Sequence, residues 1–223
     1  MRNFVIAGLL LISSPMLARP DAAAPTRPPR PPAVVACAGD SLMRPVPGHL
    51  RELRKADSFK FVLKEWAQGG LNSETYQGFF DKRRGTWESA RPDMILLQLG
   101  TNDAWLILRK KRTVEDFERG MRAILSEFRK FRSASDAPPR ILIATIPRFL
   151  FIPETAELNG IVENLINPAL ERIAVDVGVV LVDNFLALKD RPDLYDPDGI
   201  HPNAAGELVL AGNWLRAMKQ AKS

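Results

Sequence analysis

Five short apolar runs, at residues 33–38, 59–66, 93–99, 141–144 and 178–182, are separated by stretches whose apolar residues recur at helical spacing. Short apolar runs read as buried strands, and spacings of three and four read as helices with one face in a core. Strands that alternate with helices build a parallel sheet, because each parallel connection must return across the sheet and a helix makes that crossing. The expected fold class is α/β: a three-layer α/β/α sandwich around a five-stranded parallel sheet in the flavodoxin-like order 2-1-3-4-5. Its crossovers should be right-handed.

Helices are expected at residues 47–55, within 72–80, from 113, over about 154–177 and at the C-terminal end. Thr113 opens the clearest of them, with Asp116 three residues on to complete a reciprocal cap. Val114, Phe117, Met121, Ile124, Leu125 and Phe128 then share one face. The 154–177 helix should bury Leu158, Ile161, Leu165, Leu170 and Ile173. Pro168 has no amide hydrogen and should kink or split it. The last helix should bury Leu208, Leu210, Trp214 and Met218. Between strand four and the long helix, Arg148-Phe149-Leu150-Phe151-Ile152 is too apolar to lie wholly in water.

Met1-Arg2-Asn3 and the apolar run at 4–12 read as the start of a secretory signal over residues 1–24. That run is shorter than the roughly 20 residues of a spanning helix, which argues against a membrane anchor. Residues 25–32 form a Pro-rich linker, and residues 33–223 the domain. The expected location is secreted or periplasmic, without stable membrane insertion. The lone Cys37 cannot close an intrachain disulfide and reads as a small buried apolar residue. Two histidines and one cysteine speak against a dedicated metal site, and no cofactor is expected. The net charge of +5 is scattered. Arg109-Lys110-Lys111-Arg112, for instance, is followed at once by Glu115, Asp116 and Glu118. Such a run reads as a solvated helix face, not a nucleic-acid surface.

Four polar blocks stand just after strands or just before the last helix. Ser41 follows the first strand, Gly70 the second, Asn102 the third, and Asp198 with His201 the fifth. Parallel strands end at a common edge, so the topology brings all four blocks to one cleft. A serine hydroxyl needs a base within hydrogen-bond reach to act as a nucleophile near neutral pH. An imidazole supplies one, and a carboxylate on its other nitrogen fixes its tautomer. Asp198 and His201, three residues apart, can present both groups from a single turn.

On these residues the chain resembles the SGNH, or GDSL-type, hydrolase family. Its blocks occur in order as Gly39-Asp40-Ser41-Leu42, the Gly70 segment, Gly100-Thr101-Asn102-Asp103 and Asp198-Gly199-Ile200-His201. The resemblance implies Ser41 as nucleophile, His201 as general base and then acid, and Asp198 as the group that orients the imidazole. It implies an oxyanion hole made by the backbone amides of Ser41 and Gly70 and the side-chain amide of Asn102. The second block departs from the usual pattern, with Ser73 where a second glycine is common; Gly70 aligns better than Gly69. Asp196 competes with Asp198 but lacks the matching spacing. His49 reads as a surface or packing residue, Asp103 as a support for the Asn102 loop, and Trp105 as core or as a wall of the cleft.

The activity implied is hydrolysis of O-acyl esters, foremost O-acetyl esters on a carbohydrate, through an acyl-serine intermediate. The partner is then a small-molecule or polysaccharide ester. Rival readings are a lipase, lysophospholipase or thioesterase that uses the apolar 149–152 stretch, an acyltransferase, and a non-catalytic carbohydrate-binding module. Nothing in the sequence indicates an oligomeric state.

Overall fold

The computed structural model describes residues 31–222. The expected leader at 1–24 and most of the Pro-rich segment at 25–32 lie outside the described residues. Strand β1 (Ala33–Gly39) lies between β2 (Phe61–Ala67) and β3 (Met94–Gln98), and β4 (Arg140–Ala144) and β5 (Val180–Val182) continue the sheet beyond β3. Every neighbouring pair is parallel, as the alternation of strands and helices requires, and the order is β2-β1-β3-β4-β5, the flavodoxin-like order expected.

Successive residues of a strand face opposite sides of the sheet. Ala36, Ala38, Ile95, Leu97, Ile141 and Ile143 enter one core. The helices on that face are α2 (Thr75–Asp81), α3 (Arg84–Ser89), α4 (Thr101–Leu108), α5 (Val114–Phe128), α6 (Thr155–Ile161) and α7 (Asn167–Val177). The intervening Val35, Cys37, Met94, Leu96, Leu142 and Ala144 enter the other core, against α1 (Val46–Leu53) and α9 (Ala204–Lys222). Cys37 is buried there, and burial pushes its thiol up to about 12, so it stays protonated and unreactive. The α5 cap forms as expected, with the Thr113 hydroxyl accepting from the Asp116 amide and the Asp116 carboxylate accepting from the Thr113 amide.

Several details depart from the sequence expectation. The helices α3, α4 and α8 (Asn184–Leu188) were not expected; α3 and α8 are too short to show an apolar period, and α4 carries an unbroken apolar run at 104–108 in place of one. Gly178 caps α7 in the left-handed region, which shortens the last strand. The long helix does split near Pro168. A π-helical stretch, Val162–Ile166, ends α6, and Pro168 falls in the first turn of α7. That wider turn rotates Leu165 out of the buried face, and it is 36% exposed. Leu208 is also exposed, because Val209 and Leu210 take the inward positions against Leu188, Leu194 and Tyr195.

The apolar loop after β4 is partly buried. Asn159 fastens it, accepting from the Phe149 amide at 2.8 Å and donating to the Phe149 carbonyl at 2.9 Å. Phe149 is buried edge-on to Trp105, whereas Phe151 is 63% exposed. The same loop packs on the turn that holds His201: the Leu150 amide donates to the Gly199 carbonyl at 2.7 Å. Gly199 has φ +66°, and a methyl group there would lie 1.5 Å from the Leu150 oxygen. Both the angle and the space require glycine. Gly199→Ala should therefore lower stability by about 3 kcal/mol, or about 6–12 °C in Tm, in a thermal melt followed by circular dichroism.

Candidate active site

The site forms where β1 leaves the sheet. The Gly39 backbone touches β3 so closely that a methyl group would lie 2.1 Å from the Gln98 oxygen. The Asp40 amide still donates to that Gln98 carbonyl, at 3.1 Å, before the chain turns. Asp40 Oδ1 accepts from the Leu42 amide at 3.0 Å, so the residues on either side of Ser41 are tied together.

The Ser41 hydroxyl lies 2.9 Å from His201 Nε2, and His201 Nδ1 lies 2.7 Å from Asp198 Oδ2. The other Asp198 oxygen accepts from the amides of Ile200 and His201, at 2.9 Å each. A carboxylate accepts only, so Nδ1 carries the hydrogen and Nε2 is free to accept from Ser41. Burial pushes the Asp198 carboxyl up, but these two amides and the imidazole together hold it below the usual carboxylate range. Among the described residues Asp196 makes no such contact; its amide donates to the His201 carbonyl at 2.9 Å. Ser41 thus joins the sequence-distant Asp198–His201 turn in one hydrogen-bonded chain.

The second and third blocks meet beside it. The Asn102 side-chain amide, in the first turn of α4, donates to the Leu71 carbonyl at 2.9 Å. Gly70 has φ +78°, and a methyl group on Gly69 would lie 3.8 Å from Ser41 Cβ. Asp103 supports the second block instead of its own loop. It accepts from the Ser73 amide at 3.0 Å and the Ser73 hydroxyl at 2.7 Å. The serine that replaces the family's second glycine is therefore a clamp. Trp105 is half-buried, and His49 bonds Glu207 across α1 and α9 at 2.9 Å. Among the described residues no cluster of His, Cys, Asp and Glu could hold a metal ion.

Two buried carboxyls lie under this site. Burial pushes Asp40 up to about 7, the Leu42 amide draws it back in part, and the Asp103 charge raises it again. Asp103 is raised first by its own burial. Each binds its proton more tightly folded than unfolded, so its contribution to stability is greatest below about pH 4 and is lost as pH rises through the folded value. Asp40→Asn keeps the oxygen that accepts from Leu42 and removes one such loss. Its Tm relative to wild type should rise steadily as pH is raised from about 4 to about 7, in paired thermal melts.

A cleft of about 490 Å³ opens beside Ser41 and His201, with Arg44, Glu65, Asp196 and Glu207 on its walls. Arg44, three residues after the serine, has no sequence signal that marks it for this cleft.

Residues 27–208 match the GDSL-like lipase/acylhydrolase family. An acetylxylan esterase of Xylanibacter ruminicola is 26% identical over 209 residues, which covers 83% of this chain and 43% of the relative. The chain thus spans less than half the length of that curated relative. The crystal structure of an acetylxylan esterase from Geobacillus stearothermophilus aligns with a TM-score of 0.65 at 18% identity, covering 83% of this chain and 94% of that one. An α/β hydrolase enzyme from the metagenome of Lake Arreo aligns with a TM-score of 0.64 at 18% identity, covering 86% and 97%. These two share its fold. The chain belongs to the GDSL-like lipase/acylhydrolase family, a family of carboxylic ester hydrolases.

Proposed function

We propose that this chain is a serine esterase that removes O-acyl groups, foremost O-acetyl groups, from carbohydrate through an acyl-serine intermediate. The reading rests on one observation, the Ser41–His201–Asp198 chain with links of 2.9 and 2.7 Å. His201 Nε2 takes the Ser41 proton as Oγ attacks the ester carbonyl, and Asp198 holds the imidazolium that results. The carbonyl oxygen gains charge and is met by the amides of Ser41 and Gly70 and by Asn102. One hydrogen of the Asn102 amide is engaged at Leu71, which leaves the second for the oxyanion. His201 then protonates the leaving alcohol. Water, deprotonated by the same imidazole, releases the acid and restores Ser41.

Removing one oxyanion donor costs about 10²- to 10³-fold in kcat. Asn102→Ala should show that loss on 4-nitrophenyl acetate, with KM little changed.

The acetyl and carbohydrate parts of the reading draw support from the acetylxylan esterase relatives. Export draws its support from residues 1–24, and it puts the substrate outside the cytoplasm. The test is an ester profile of the purified chain. Acetate should be released from acetylated xylo-oligosaccharides, and 4-nitrophenyl acetate should turn over faster than the octanoate. The exposed Phe151 beside the His201 turn favours the lipase-like alternative, and a faster octanoate reaction would select it.

A further inference from the structure

The cleft beside Ser41 shares its walls with His201 but not with Gly70 or Asn102. In acyl transfer the leaving oxygen takes its proton from the imidazole, while the carbonyl oxygen faces the oxyanion donors. A cleft on the imidazole side is therefore the place of the alcohol half of the ester. This assignment rests on the serine-esterase reading and deepens it.

Four charged side chains line that cleft, and two of them are already paired. Glu65 bonds Arg51, and Glu207 bonds His49 at 2.9 Å. Arg44 and Asp196 are different. Both are exposed to the cleft, and among the described residues neither side chain has an ion pair or hydrogen bond. Arg44 Nη1 lies 3.9 Å from where a methyl group on Gly69 would be, beside the loop after β2. The Asp196 amide holds the carbonyl of His201, at 2.9 Å.

A guanidinium only donates hydrogen bonds, and a carboxylate only accepts them. A simple aryl or alkyl alcohol offers nothing to the pair. A sugar offers hydroxyls that accept from the first and donate to the second, and bonds to charged partners are the stronger kind. We propose that the leaving alcohol lies in this cleft as a polyol, a sugar unit with free hydroxyls, and that Arg44 and Asp196 read those hydroxyls. They are specificity residues; the bond-breaking chemistry stays with Ser41 and His201.

The experiment compares kcat/KM for a methyl mono-O-acetyl-xylopyranoside, whose other hydroxyls are free, with kcat/KM for 4-nitrophenyl acetate, which has none. Arg44→Leu and Asp196→Leu should each lower the ratio of the two about tenfold, through a higher KM for the sugar ester. Asp196→Asn, which still accepts a hydrogen bond, should lose less than Asp196→Leu. Thermal melts of Arg44→Gln and Asp196→Asn, close in size to the originals, separate loss of fold from loss of recognition. An unchanged ratio, or a parallel fall on both substrates, overturns the inference. Wild-type protein inactive on every ester would instead defeat the serine-esterase reading beneath it.

Discussion

Ser41→Ala is expected to lower kcat for 4-nitrophenyl acetate by about 10⁵- to 10⁶-fold. The hydroxyl is the group that His201 Nε2 faces at 2.9 Å, and alanine leaves the imidazole with no nucleophile to activate. The loss should be non-additive. His201→Ala introduced into Ser41→Ala should cost little more, because the two groups act as one unit. Binding should survive, since the cleft walls and the Asn102 amide are untouched. An inhibition constant for a non-hydrolysable substrate analogue should stay within a few-fold of wild type. The fold should survive too, because among the described residues the Ser41 side chain has one hydrogen bond and that bond goes to a half-exposed ring.

Asp198→Asn should lower kcat by about 10⁴-fold with little change in KM. The carboxylate accepts the Nδ1 hydrogen at 2.7 Å and so leaves Nε2 free to accept from Ser41. A carboxamide can still accept the Ile200 and His201 amides with its oxygen. Its NH₂ group then faces Nδ1 and can only donate. The ring must move its hydrogen to Nε2, where it blocks transfer from the serine hydroxyl. The turn should keep its shape, so a melt within a few degrees of wild type should accompany the kinetic loss. Asp196→Asn is the matching control. The imidazole is bonded by Asp198 and Ser41, not by Asp196, among the described residues, and a comparable collapse there would mean that the acid is misassigned.

The sheet order was legible because strand and helix periods alternate five times and leave few topologies open. Ser41, Asp198 and His201 were legible because each lies at a strand edge or in the turn before α9. Parallel strands deliver all such positions to one place. What escaped the sequence depended on packing between distant loops. Nothing local says that Leu150 will lie on Gly199, that Asp103 will grip Ser73, or that Arg44 will line the cleft. Leu165 would lie on the apolar side of a regular helix, but the π-helical stretch Val162–Ile166 changes the residue spacing there and leaves it 36% exposed. The short helices α3 and α8 have too few turns over which a period could show, and the apolar residues of α4 at 104–108 run unbroken and show none.

The most direct measurement is rapid mixing of the protein with 4-nitrophenyl acetate, followed by acid quench and peptide mass analysis. The expected result is a burst of nitrophenol equal to the enzyme present, with the acetyl group on the peptide that contains Ser41 and absent from Ser41→Ala. Full turnover by Ser41→Ala, or an acyl group trapped on a different side chain, would contradict the account.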